Sequence, residues 1–383
     1  MKILFVMPFT QEYGCNLSRK FISQINCTKK ICSSVFYTLY DSHKVYICNS
    51  QNNARIAIGK TLPINQIFIQ MHFIMRYIRK WIKDEKPDIV YIRSTPPSYT
   101  YKKTFKIMHS VGSKIVIEIP TYPIKQEAKN SSRRLFYFMV NVVRRLFGNV
   151  EKDADMFTLI GETATKYKGV NAINIENGID INNFPIKKGF QKQENELHLL
   201  AMASITFWHG YDRVIDGMIN YYEQENNSKK VILHICGDCN DGSLEKMLEK
   251  AKAHKINRYI NYHGFVKGKK LDELFDLCDI AISSLGLHRI NRSVDTTLKV
   301  TEYTARGIPF IYSAVSNNID SNASYCMIFP ANDSPIDINQ VIDFYNSLDK
   351  KTVSNDMRVY SENTLDWSIQ MEKIIRQVEM NEV

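Results

Sequence analysis

The chain has 383 residues, 44% of them hydrophobic, and a formal net charge of +10. That length is more than one core normally serves, so two domains are expected, and the composition is that of a globular protein with a sizeable interior. No run of 18 apolar residues occurs, which excludes a membrane-spanning helix.

The charge is uneven. Residues 1–190 hold 29 Lys and Arg against 13 Asp and Glu, whereas residues 191–383 hold 21 against 27. A strongly basic half suits nucleic acid, an anionic membrane surface or an acidic substrate. No stacked-aromatic or recognition-helix pattern supports nucleic acid. The eight cysteines show no framework spacing, so a reducing cytoplasm is the expected setting. Cys236 and Cys239 form a lone CxxC; without a second pair no zinc site is expected.

In chain order, Met1 to Met7 reads as a strand and Pro8 to Asn16 as its loop, holding Gly14. Leu17 to Ile25 reads as a helix. Strand, glycine-bearing loop and helix make the first unit of a Rossmann-like half, although one glycine falls short of GxGxxG. Ile67, Phe68, Met71, Ile74, Met75, Ile78, Trp81 and Ile82 form a helical stripe, with Gln70, Arg76 and Arg79 on the other side. Strands follow at 88–93 and 114–119. Over 133–147 a second stripe holds Leu135, Met139, Val142 and Leu146, with arginines largely off it. Most amphipathic helices pack inward, so core packing is the expectation for the stripe. The positive charge keeps contact with a membrane surface open.

Short strands at 155–160 and 172–175 precede the loop ENGIDINNFP. The polar segment 185–196 reads as a linker, and the charge balance changes sign there. Strands and helices then alternate from Leu197 onwards, which implies right-handed crossovers and a parallel sheet. Segment 279–313 has every punctuation mark of a strand, loop, helix and strand. Ile280 to Ile282 is the strand, and Thr296 or Thr297 is the helix N-cap. Gly307 is the C-cap glycine, with Pro309 after it. The free N–H groups at Thr297 and Leu298 form a positive pole suited to phosphate. Lys299 adds a charge, and Glu302 sits one turn in as an acceptor for vicinal hydroxyls. Taken alone, Lys299 and Glu302 equally describe a solvated helix face. Trp367 to Glu379 reads as a final helix.

With these residues in place, the chain resembles the family-4-like glycosyltransferases of the GT-B fold. The matching marks are ENGID at 176–180, CGD at 236–238, HGFV at 263–266, LDELFDLCDIAISS at 271–284 and KVTEYTARGIPFI at 299–311. The resemblance implies an α/β protein of two Rossmann-like parallel-sheet domains facing a cleft. An acceptor-side domain would span 1–188, with the C-terminal helix 365–383 crossing back to it. A donor-nucleotide domain would span 189–364. It also implies transfer of a sugar from a nucleotide-diphosphate sugar with retention of configuration and without a metal or other cofactor.

Residue by residue, Glu302 matches the second glutamate of the family's pair, which binds the donor ribose. The first would fall at 294, which is Val294, with Asp295 one place on. His209, beside Gly210, occupies the place of the family's diphosphate-binding lysine, and Ser204 that of its arginine. His288 and Arg289 are candidates for the missing charge and for a catalytic role. Glu118 is a candidate base or acceptor anchor, or else the partner of a nearby arginine. Arg93 and Tyr122 are candidates for acceptor binding, and Gly14 and Asn16 for closeness to the donor sugar.

The expected function is therefore a glycosyltransferase of surface-polysaccharide synthesis. Its acceptor would be a hydroxyl on a lipid-linked, polyprenyl-type glycan. It would be cytoplasmic, its basic half peripheral on the inner face of an anionic membrane. The rivals are a non-catalytic GT-B subunit that binds a partner enzyme or membrane, and a nucleotide-sugar epimerase.

Overall fold

The structure is a computed structural model. It describes residues 1–8, 16–61, 67–122, 134–190, 195–225, 227–295, 297–320 and 322–380. For residues 16, 17, 19, 134–137, 139 and 140 only the backbone is described. The chain divides into two compact units, Met1–Asp180 with Asp366–Val383, and Ile181–Leu365.

The first unit is a nine-stranded mixed sheet in the order β4-β3-β2-β1-β5-β6-β7-β9-β8. Its parallel body is β2 (Ser34–Asp41), β1 (Lys2–Val6), β5 (Ile89–Arg93), β6 (Lys114–Tyr122), β7 (Met156–Gly161) and β9 (Val170–Asn174). Antiparallel β3 (Lys44–Asn49) and β4 (Arg55–Lys60) extend one edge, and β8 (Lys166–Tyr167) ends the other. The central strands are apolar on both faces because helices cover both. One face packs under α2 (Ile67–Glu85) and α3 (Tyr99–Ser110). The other packs under α1 (Asn16–Thr28) and the final helix. Gln70, read from its polarity as an outward residue, is buried in α2, and Ile67 is exposed instead. The fourth helix, α4 (Arg134–Phe147), leaves part of its apolar stripe in solvent. The expectation of core packing is thus corrected for Val142 and Leu146.

The second unit is an all-parallel six-stranded sheet, β12-β11-β10-β13-β14-β15. The strands are β10 (Glu196–Met202), β11 (Lys230–Cys236), β12 (Ile260–Tyr262), β13 (Ile280–Ile282), β14 (Phe310–Tyr312) and β15 (Cys326–Ile328). Numbered within the unit this is the 3-2-1-4-5-6 order of a doubly wound fold, whose switch point lies between β10 and β13. Its helices are α5 (Asp212–Tyr222), α6 (Ser243–Ala253), α7 (Lys269–Leu277), α8 (Leu298–Arg306), α9 (Ile338–Ser347) and α10 (Val353–Tyr360). The polar stretch 185–190 belongs to this unit. Lys187 is buried, its ammonium donating to the carbonyls of Phe275 and Asp276 and its N–H to Arg306.

The last helix, α11 (Trp367–Met380), returns to the first unit. Trp367, Met371, Ile374 and Val378 fill the core beside β1 and β5. Gly178 of the ENGID loop makes room for it: a Cβ there would lie 2.8 Å from the Trp367 ring. Gly217 is a similar case in the second unit, where a Cβ would meet the Ile336 carbonyl oxygen. Gly217→Ala is expected to cost about 2 kcal/mol, because overpacking against fixed backbone outweighs the gain in helix propensity. Urea unfolding measures it, and an unchanged midpoint would refute the close approach.

Candidate active site at the switch point of the second sheet

The loops after β10 and β13 meet where the strand order reverses, the place where open α/β sheets bind ligands. Thr206 opens a short helical turn, Phe207–His209, that ends on Gly210 at φ 68°. A Cβ at Gly210 would lie 2.7 Å from the Gly286 nitrogen, so only glycine lets the two loops touch. Arg213, nearly fully buried on α5, ties the edge together by donating to the carbonyls of Leu285, Ser334 and Pro330.

His209 is buried between Trp208 and Tyr211, with ring centroids 3.8 and 5.5 Å away. Its Nδ1 accepts from the Thr206 N–H at 3.1 Å, which puts the ring proton on Nε2. Burial, then the charge of Lys299, lowers its pKa to about 2. His209 is a neutral donor of one N–H bond, without the positive charge of a lysine.

Asp295 is buried and accepts from the Ser283 hydroxyl at 3.0 Å and the Thr297 N–H at 2.8 Å. It organises the loop, and its position rests on a bridge between Val294 and Val315. The Thr297 N–H, expected to face a phosphate, is taken by this carboxylate. The Thr297 hydroxyl, buried at the helix start, finds no partner among the described residues, and neither does that of Ser284 just after β13. Unsatisfied hydroxyls of this kind call for an explanation, and a bound ligand supplies one. The following N–H groups, from Leu298 on, start α8 and have no partner inside the helix.

Lys299 packs with its ammonium 5.4 Å over the Tyr211 ring and 3.4 Å from its hydroxyl. Desolvation, only partly opposed by Asp295, lowers its pKa to about 7. One turn on, Glu302 accepts from Arg306 at 3.0 Å, and Arg306 also holds Asp272 and stacks on Phe275. Burial, and after it the charge of Glu302, raises the pKa of the thiol of Cys236, the last residue of β11.

His209, Gly210, Asp295, Thr297, Leu298, Lys299 and Glu302 therefore lie along one edge of one sheet. His288 and Arg289 are engaged elsewhere. Arg289 makes a two-toothed bond to Asp212 at 2.8 Å and a third to Asp333, which hold its pKa above the usual range. His288 shares Asp333 at 3.1 Å. Arg289 lines a cavity of about 460 Å³ with Phe207, Asp212, Asp241 and Lys246. These bonds anchor the loop to α5.

In the first unit Glu118 is buried at the end of β6. It accepts from Lys20 at 3.0 Å, Arg93 at 2.7 Å, Tyr91 at 2.8 Å and Gln24 at 3.3 Å. Burial alone would raise its pKa, but Lys20 and Arg93 pull it down to about 2. A carboxylate so acidic and enclosed is a poor proton acceptor; the pairing with an arginine weighed beside the base is what is found. Tyr122 lies edge-on to Tyr167, and its carbonyl accepts from Glu162. Gly14 lies outside the described residues, as does the side chain of Asn16, the first residue of α1.

Cys27, Asp180 and Asp366 are close enough to hold a metal ion among the described residues. Burial, then Asp366 and Asp180, pushes the thiol far up, and Lys30 pairs with Asp366 at 3.4 Å.

Residues 182–360 match the family described as Glycosyl transferases group 1. No curated protein matches the chain. Among solved structures, Anabaena Alr3699/HepE in complex with UDP-glucose is 11% identical with a TM-score of 0.60, over 99% of this chain and 100% of that one. Sucrose-phosphate synthase from Thermosynechococcus elongatus is 11% identical with a TM-score of 0.63, over 99% and 100%. WaaG, a glycosyltransferase involved in lipopolysaccharide biosynthesis, is 13% identical with a TM-score of 0.56, over 97% and 98%. The chain thus has the GT-B fold, and its second unit matches the group 1 glycosyltransferases.

Proposed function

We propose that this family-4-like transferase moves a sugar, with retention, from a nucleotide-diphosphate sugar to a hydroxyl of a lipid-linked glycan in surface-polysaccharide synthesis. The observation that carries the donor assignment is the alignment of Lys299, His209 Nε2–H, the Thr297 hydroxyl and the start of α8 beside Glu302 on one sheet edge. Anabaena HepE, of the same fold, holds UDP-glucose. In transfer, the bond from the sugar's anomeric carbon to the diphosphate breaks, and its electron pair leaves with the diphosphate. The acceptor oxygen bonds to that carbon. Retention brings the acceptor in on the face the diphosphate leaves, so a diphosphate oxygen is the nearest base for the acceptor proton. Lys299, the helix pole and His209 stabilise the charge that develops there. Glu302 accepts from the ribose hydroxyls, and Arg306 keeps it in place. Arg93 and Tyr122 are assigned to the acceptor.

Calorimetric titration with UDP, GDP and ADP, followed by a donor screen, tests the reading. At least one nucleotide should bind. Glu302→Ala should weaken it about 100-fold, the value of charge-assisted hydrogen bonds to two hydroxyls. An unimpaired variant would refute the assignment. Val294, held in a bridge where a carboxylate is expected, favours a second reading as a non-catalytic subunit. Failure of all three nucleotides to bind would select that one.

A further inference from the structure

Among the described side chains of α4, three exposed apolar ones fall in a row. Phe138, Val142 and Leu146 recur every fourth residue, so they share one line along the helix. They are 65%, 42% and 70% exposed, whereas Val143 is half-buried. Three exposed apolar side chains in line, beside the exposed Arg145, form a patch that a folded monomer does not ordinarily leave bare. Arg145 is exposed and borders the row. The local sequence is strongly basic: residues 125–145 contain six Lys or Arg and one acid, Glu127. No helix of the described residues is long and apolar enough to cross a bilayer.

We propose that this face of α4 docks the protein on an anionic lipid bilayer, with Phe138, Val142 and Leu146 entering the acyl boundary and Arg145 meeting the head groups. Both parts are required by the chemistry. An apolar row without charge would suit another protein, and charge without an apolar row would suit any polyanion. Together they match an interface that is apolar beneath and negative above. The proposal stands apart from the transfer reaction, since none of these residues belongs to the second unit.

Co-sedimentation of the full chain with vesicles tests it. Binding is expected to vesicles of phosphatidylcholine mixed with phosphatidylglycerol and not to phosphatidylcholine alone, and to weaken as salt screens the charge. Replacing Phe138, Val142 and Leu146 together by serine should lower binding by about tenfold or more, and Arg145→Gln by about fivefold. Because the three side chains are exposed, circular dichroism and nucleotide affinity should not change. A Phe138→Trp variant should shift its fluorescence to the blue only with the anionic vesicles. Equal binding to neutral vesicles, or serine variants that bind as well as the parent, would overturn the proposal. So would a dimer that the serine variant dissociates, in a protein that ignores vesicles; the row would then join two copies.

Discussion

Replacing Lys299 by methionine is expected to lower kcat/KM about a thousandfold and at the same time to stabilise the protein by on the order of 2–4 kcal/mol. The two effects share one cause. Desolvation brings the ammonium's pKa to about 7, so the folded chain carries, near neutral pH, a charge it would hold more easily in water. A methionine of similar volume keeps the packing on Tyr211 and removes that cost. In the proposed reaction the same ammonium is a positive charge beside the departing diphosphate. His209 is held neutral, and Arg289 is spent on Asp212 and Asp333. Most of the loss should fall on kcat, because the charge on the leaving group is larger in the transition state than in the bound donor. Steady-state kinetics and urea unfolding of the same preparation measure both. A variant that loses activity and stability together would make Lys299 a structural residue, and one that keeps its activity would move the diphosphate elsewhere.

The stretch that carries this site was legible because its punctuation is local. Gly307 does end α8 in a left-handed conformation at φ 70°, and a helix start after a short buried strand is a pattern of neighbouring residues. That the second sheet is parallel follows from the alternation of strand and helix. What escaped depends on partners distant in sequence. Arg289 meets Asp212 across 77 positions, and Glu118 meets Lys20 across 98. Nothing near either residue marks it as engaged, so both stood as candidates for chemistry. The role of Tyr211 as the platform under Lys299, and that of Thr206 in setting the His209 tautomer, have no sequence signal at all. The hairpin of β2 and β3 does have one, the alternation through VFYTLY and KVYIC, but its turn is marked by positive φ at Ser42 and His43 rather than by glycine. For α4, periodicity located the helix and its apolar side, but which neighbours cover that side is a tertiary fact. The amphipathic pattern is the same for a core helix and a surface one.

Diphosphate binding should take up a proton, and its affinity should fall about tenfold per pH unit above pH 7. The direction follows from Lys299. Its pKa in the free protein is about 7, below the usual lysine value. A diphosphate in contact with the ammonium favours the charged form and raises that pKa. Above pH 7 the free protein holds a neutral amine, so binding must bring in the proton; below pH 7 the proton is already present and this contribution is flat. Stability has its own sign. Because the folded pKa lies below the unfolded one, the cost of the buried charge is fully present below pH 7 and is relieved as the pH rises towards 10.5. A nucleotide-diphosphate sugar is the right probe, since its phosphates are diesters and do not themselves titrate near neutrality. Calorimetry in buffers of different ionisation enthalpy should show uptake of about half a proton at pH 7, approaching one by pH 9. The Lys299→Met protein should show none. Equal affinity at pH 7 and pH 9 in the parent would mean that the ammonium does not reach the diphosphate. Uptake that persists in the methionine variant would assign the proton to another group.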